Sequence, residues 1–345
     1  MNFLDYCIDS EVTIKEAMRA IDNADTKIVF LTEGIKLLAT LTDGDIRRFL
    51  LAGGKLSDSA IDAANINPIC ANDEYEAANI YHQKNYIAIP IVNDDGELEE
   101  IFFGNKAKLD KLANLKVPVV VNAGGKGTRL EPFTKILPKP LIPVGENPII
   151  EHIMQQFIKY GCDEFHMIVN YKKELMKAYF ADNDQSYNIS WYNEDKPLGT
   201  GGGLCFLKGK INSTFFFTNC DNLLLANYDS MLRFHKENSN MITMICAYKN
   251  FTIPYGVIEM GVNGSIDKMT EKPELSFLTN TGIYIVEPEV LEDVEDNVEI
   301  GFPDIIDKER KKGNKVAIYP VSENDWMDMG QLSELEKMRV RLYGE

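Results

Sequence analysis

The rhythm of hydrophobic positions along the chain changes near residue 115. Before it, short apolar runs alternate with helical patterns. "TIKEAMRAIDNA" has apolar residues at helical spacing, "KIVFLT" is a strand-length run, and "LLATLTDGDIRRFLLAGG" predicts a strand that turns into a helix. The order recurs in "NDEYEAANIYHQKN", "AIPIVNDDGELEEIFF" and "NKAKLDKL", an internal repeat of roughly 50 to 60 residues. "KLANLKVP" is a short connector, and Pro118 opens a new strand. From Val117 onward the pattern is βαβ: the strand "PVVVNAGG", the helix "PIIEHIMQQFIKYG", the strand "EFHMIVNY", the helix "KKELMKAYF" and the strand "ISWYNE". Strands alternating with helices at this spacing predict an α/β fold with a mostly parallel sheet covered on both faces. The pattern divides the chain into residues 1–115 and 117–345. The last predicted element is the amphipathic helix "LSELEKMRVRLYGE"; no hexapeptide repeat is present, so no appended β-helix is expected.

Composition narrows the class. The chain has 345 residues, 45% of them hydrophobic and 26% charged, which is ordinary for a soluble protein with a sizeable core. "MNFLDYCIDSEV" lacks the basic start and apolar run of a signal peptide, and no apolar stretch approaches the ~18 residues of a membrane span. Cys7, Cys70, Cys162, Cys205, Cys220 and Cys246 form no CxxC pair, and the four histidines show no metal spacing. A cytoplasmic protein with reduced cysteines is therefore expected. The net charge of −17 argues against nucleic acid and anionic membranes as partners. Any phosphate chemistry must rest on local positive charge.

Such charge is concentrated after the first strand of the second part. "VPVVVNA" runs directly into "GGKGTR", a glycine-rich loop at the carboxyl end of a parallel strand, where open α/β sheets bind ligands. Gly124, Gly125 and Gly127 leave room for backbone N–H groups to approach phosphate oxygens. Lys126 is followed by glycine rather than Ser or Thr, so the loop is not a P-loop, and it does not fit GxGxxG. Arg129 supplies a permanent forked cation, and Lys139 stands on a backbone stiffened by Pro138 and Pro140.

"GGKGTRL" followed by "LPKPLIPVGENPIIEHI" resembles the signature of sugar-1-phosphate nucleotidyltransferases, and the resemblance extends over residues 117 to 345. It implies a Rossmann-like, GT-A-like mostly parallel sheet. It also implies an enzyme of the EC 2.7.7 class that transfers a nucleoside monophosphate from a nucleoside triphosphate to a sugar 1-phosphate. In that likeness Arg129, Lys139 and Asp221 of "FFFTNCDNLL" are catalytic, and Asp221 with Asp328 of "WMDMGQ" holds Mg²⁺. Ala123, Gly124, Gly125, Gly127, Thr128, Gly199 and Thr200 bind the nucleotide. Tyr255, Gly256, Glu271, Lys272, Asn280 and Thr281 bind the sugar phosphate. Within "NEDKPLGTGGGL" the family more often has an alanine, so Gly201 to Gly203 are expected to form a looser segment. The base is left open by the sequence: GTP with glucosamine 1-phosphate or a related hexosamine is favoured, since the whole arrangement is similar to bacterial enzymes that make GDP-linked hexosamines for legionaminic-type sugars. UTP, CTP or dTTP, and a non-sugar acceptor such as phosphocholine, are alternatives, as is a silent nucleotide-sensing protein.

"LLATLTDGDIRRFLLAGG" resembles a CBS motif, which makes residues 1–115 similar to a tandem CBS pair. Thr42 and Asp45 would then contact the ribose of an adenine nucleotide, with Arg47 and Arg48 near its phosphate. Gly104 and Asn105 depart from the motif in the second repeat, so one nucleotide site or none is expected there. CBS pairs often associate, which implies a homodimer; the alternative to a sensor is a purely structural or dimerising role.

Overall fold

The computed structural model describes residues 3–23, 27–73, 76–77, 80–81, 86, 88–103, 114–181 and 187–344. It divides the chain into two compact units, Met1–Lys111 and Leu112–Glu345, a few residues before the change of pattern in the sequence.

In the first unit β1 (Cys7–Asp9) pairs in parallel with β2 (Ile28–Glu33), which pairs antiparallel with β3 (Lys36–Thr42). The helices α1 (Ile14–Asn23) and α2 (Asp43–Leu51) cover one face of this sheet. Strand period two sorts its residues: Val29 and Leu31 join Ile14, Ala17, Ile21 and Ile46, while Ile28 and Phe30 join Ala88, Leu98 and Ile101. The latter three come from a separate antiparallel pair, β4 (Ala88–Val92) with β5 (Leu98–Phe103). The helices expected over 72–85 and 105–112 fall largely outside the described residues, as do Gly104 and Asn105, so the likeness of the second repeat to the first is not visible here.

The second unit is built on a seven-stranded sheet. Its strands are β6 (Val119–Asn122), β7 (Glu164–Val169), β8 (Asn188–Asn193), β9 (Phe215–Asn219), β11 (Ile242–Thr252), β14 (Glu274–Val286) and β15 (Val316–Val321). Their order is β8-β7-β6-β9-β14-β11-β15, and only β14 runs against the others. Both faces are buried, which explains the unbroken apolar runs in the central strands. Val119, Val121 and Phe216 face a core that includes Ile153 and Phe157 of α3 (Ile149–Lys159). Val120, Phe215 and Phe217 face another with Phe302 and Ile305 of α6 (Phe302–Lys311). The helices α4 (Lys173–Ala181) and α5 (Tyr228–Glu237) complete the crossovers. Three short pairs stand apart from the sheet: β10 (Asn222–Leu224) with β16 (Trp326–Asp328), β12 (Val257–Met260) with β13 (Ile266–Thr270), and the two-residue strands Pro143–Val144 and Asn147–Pro148. The helix α7 (Leu332–Tyr343) ends the described chain.

Among the described residues no helix is long and apolar enough to cross a membrane. The six cysteines are unpaired, and four of them are buried.

Candidate active site

Parallel strands deliver their carboxyl ends to one edge of a sheet, and here that edge gathers the loops after β6, β7, β8 and β9. After β6, Ala123 is anchored by its N–H to the Ile168 carbonyl at 2.8 Å, the buried Gly124 accepts the Tyr171 N–H at 3.4 Å, and Gly125 lies exposed. Gly127 turns with φ +65°, a left-handed conformation that favours glycine. A Cβ there would lie 2.9 Å from Thr134 and 3.0 Å from the Lys139 side chain, so Gly127 also lets Lys139 pass close to the loop. The turn Thr128–Leu130 follows and leaves Arg129 exposed.

Lys139 starts a short 3-10 turn between its two prolines and is only 9% exposed. Its Nζ is paired with Asp221 Oδ2. Burial opposes the lysine's charge, but the charge of Asp221, with Cys220 and Asp328 beyond it, outweighs that and holds its pKa above the ordinary value. Lys139 is thus a fixed cation rather than a proton donor.

Asp221 follows the end of β9. Its partner Asp328 is more than a hundred residues away, and the β10–β16 pair brings them together. Asn222 is in register with Asp328, and the Met329 N–H donates to the Asp221 carbonyl at 2.9 Å. Burial raises the pKa of Asp328 and the neighbouring Asp221 charge raises it further, against the pull of Lys139 and Arg129. Two partly buried carboxylates that repel one another are a donor set suited to a hard dication, with phosphate and water as the remaining ligands. Among the described residues no larger acidic or histidine cluster exists.

Arg129, Asp221 and Asp328 line a cleft of about 270 Å3 together with Thr200, Asn280 and Thr281. Asn280 and Thr281 lie in the middle of β14, opposite a bulge in β11 between Met244 and Cys246. Gly282 beside them has φ +76°, and a Cβ would come within 2.4 Å of Asn222 and 2.6 Å of Asn219. The local kink aims Asn280, which donates to the Tyr284 hydroxyl at 2.7 Å, while Thr281 is buried and donates to the Ile245 carbonyl at 2.8 Å.

Tyr255, Gly256, Glu271 and Lys272 do not line this cleft. They are exposed at the base of the β12–β13 hairpin, where Gly256 and Glu271 face each other. Gly199 and Thr200 are held by the segment 300–302: Gly201 N–H donates to the Ile300 carbonyl at 2.9 Å, and Thr200 Oγ1 accepts from the Phe302 N–H at 2.9 Å. The looser segment expected at Gly201 to Gly203 is corrected by the structure. All three are buried, and added Cβ atoms would meet Ile305 at 2.6 Å, the Val298 carbonyl at 2.4 Å and Ile168 at 2.6 Å. They are glycines because their neighbours leave no space.

Glu194, just past β8, was not singled out in the sequence. It is 3% exposed, its Oε1 has no hydrogen-bond partner, and burial pushes its pKa up to about 7 despite the Leu198 amide. Its carboxyl lies between the two glycine runs: a Cβ on Gly124 would be 2.5 Å from Oε2, and one on Gly203 would be 2.9 Å from Oε1. The only sequence signal was its place at a strand end, two residues before "KPLGTGGG".

In the first unit, Thr42 caps α2 in a reciprocal box with Asp45, the Thr42 N–H donating to Asp45 Oδ2 at 2.9 Å and the Asp45 N–H to Thr42 Oγ1 at 3.2 Å. Both line a cavity of about 540 Å3 with Arg48, which is paired to Asp45; Arg47 is paired to Asp43.

Comparison with known proteins fits the second unit. The family described as Nucleotidyl transferase matches residues 118–343. Mannose-1-phosphate guanyltransferase 2 of Candida glabrata is 32% identical over 224 residues, 61% of this chain, and the chain spans about 61% of that relative's length. The bifunctional protein GlmU of Methanococcus maripaludis is 36% identical over 169 residues, 48% of this chain and 39% of its own. Among solved structures, HddC from Yersinia pseudotuberculosis superposes with a TM-score of 0.52 at 21% identity, covering 65% of this chain and 98% of that one, a likeness of fold.

Proposed function

Since the chain belongs to the nucleotidyl transferase family, we propose that it transfers a nucleoside monophosphate from a nucleoside triphosphate to a sugar 1-phosphate and releases pyrophosphate. The observation that carries this reading is the convergence of Arg129, Lys139, Asp221 and Asp328 at the carboxyl edge of the sheet.

An oxygen of the sugar 1-phosphate forms a bond to the α-phosphorus in line with the α–β bridging oxygen, and that P–O bond breaks. The attacking phosphate is ionised at neutral pH, so no general base is needed. The barrier lies in bringing two polyanions together. Lys139 and Arg129 supply fixed positive charge, and the amides of the Gly124–Gly127 loop supply oriented donors. Asp221 and Asp328 would hold Mg²⁺, which when bound supplies charge neutralisation across the phosphates. On phosphate binding, Lys139 would exchange Asp221 for the substrate.

The favoured base is guanine. A carboxylate offers acceptors only, and guanine presents two adjacent donors, N1–H and N2–H₂, on its Watson–Crick edge. Glu194, buried with an unbonded oxygen between the nucleotide-loop glycines and the "GTGGG" run, supports that match. The names of relatives that are guanyltransferases agree with it. An amino-sugar 1-phosphate is the favoured acceptor, with Asn280 and Thr281 in the cleft beside the metal carboxylates and Glu271 and Lys272 on the hairpin. For the first unit we propose a CBS-type adenine-nucleotide site at Thr42 and Asp45, supported by the cavity they line.

The test is pyrophosphate release from a panel of four triphosphates with several sugar 1-phosphates. Lys139→Ala and Asp221→Asn are each expected to lower turnover by at least ~100-fold with the fold intact by circular dichroism. Near-normal turnover in both variants would remove the assignment.

A further inference from the structure

The strand that carries Asp328 is also a wall of a second and larger cavity, about 440 Å3. Its other walls are the outer part of β11 at Lys249 and Asn250, the turn at Glu323, and the face of α7 where Glu334, Lys337 and Arg341 recur every three or four residues.

Most of its charges are already engaged. Lys337 is paired with Glu334 at 2.8 Å, Glu323 accepts the Asn250 N–H at 3.1 Å, and Asp328 belongs to the catalytic cluster. Lys249 and Arg341 have no carboxylate partner among the described residues. The Lys249 ammonium instead lies 5.3 Å from the ring centroid of Trp326. Trp326 gives the cavity a flat apolar wall, and its buried Nε1–H has no acceptor. Glu323 and Asp328 keep their negative charge and balance the lining as a whole; Lys249 and Arg341, beside an indole, are the local points at which an anion with an organic part would be held.

We propose that this cavity, which adjoins the catalytic cleft at Trp326 and Asp328, is a second small-molecule site for a phosphate-bearing metabolite. Lys249 and Arg341 take the phosphate and the organic part lies against Trp326. Trp326 and Asp328 line both cavities, so occupancy of one is felt in the other.

The chain has two tryptophans, and Trp191→Phe leaves Trp326 as the sole emitter. The full chain with this substitution is titrated with inorganic phosphate against chloride at matched ionic strength. Phosphate is expected to change Trp326 emission saturably. Lys249→Ala and Arg341→Ala should each weaken the apparent affinity by at least ~10-fold, the loss of one charge-assisted hydrogen bond, while Arg129→Ala leaves that component in place. An affinity unchanged by both substitutions overturns the site. So does a response abolished by Arg129→Ala alone, which would place the phosphate in the catalytic cleft. Should Trp191→Phe fail to fold, calorimetric titration of the chain with both tryptophans gives the same comparison. The readout needs no turnover, so it stands or falls separately from nucleotidyl transfer.

Discussion

At the scale of single residues, Glu194 carries a cost that its position explains. A carboxyl buried with one oxygen unbonded is disfavoured as an anion, and its pKa near 7 lies above the ordinary 4.5. A group raised in this way binds its proton more tightly in the folded chain, so its contribution to stability is full below pH 4.5 and is lost as pH rises through about 7. Glu194→Gln should flatten the fall of Tm over that interval, as measured by scanning calorimetry; parallel curves for the two proteins would contradict the account. The same substitution tests the base. A glutamine offers one acceptor and one donor, which suits the N3–H and O4 of uracil better than the two donors of guanine. We expect kcat/KM for GTP to fall by at least ~100-fold relative to that for UTP. An unchanged ratio would detach Glu194 from base selection.

At the scale of elements, the run Gly201–Gly203 illustrates what local sequence hides. Three glycines in a row read as a loose segment because nothing in the sequence indicates which chains press on them. The segment 298–302 and the side chains of Ile168 and Ile305 occupy the space a Cβ would need. Gly203→Ala is expected to destabilise the fold by roughly 1–3 kcal/mol, the usual cost of overpacking, measured by urea denaturation. The strands and helices of the second unit were legible because their apolar runs and periods are strong, and the glycine loop with Lys139 was legible because prolines and glycines mark it. The meeting of Asp221 with Asp328 was not readable from spacing. It depends on the β10–β16 pairing, two three-residue strands too short to leave a periodic signal. The placement of Asn280 depends likewise on a bulge in the neighbouring strand, a tertiary fact.

At the scale of the whole molecule, acidic residues outnumber basic ones, 53 to 36, and ligand-linked stability is the cleanest probe of the first unit. A ligand that binds only the native state raises Tm with concentration. AMP is expected to raise the Tm of the full chain in a thermal-shift titration, and Thr42→Ala, which removes the hydroxyl lining that cavity, should abolish the shift. No shift with AMP, ADP or ATP would leave a structural or dimerising role for this unit. The ion pair between Lys139 and Asp221 has a further consequence, and it concerns time. Its partners are 82 residues apart, and the strand that completes the site ends only at Asp328. Contacts of such long separation form late because chain-closure entropy must be overcome first. During synthesis the amino-terminal unit is free to fold while the ribosome is still translating the rest. Asp328 is supplied only when β16 has been made and has paired with β10, so under the proposed mechanism a chain truncated before β16 is expected to release no pyrophosphate even with the Gly124–Gly127 loop in place.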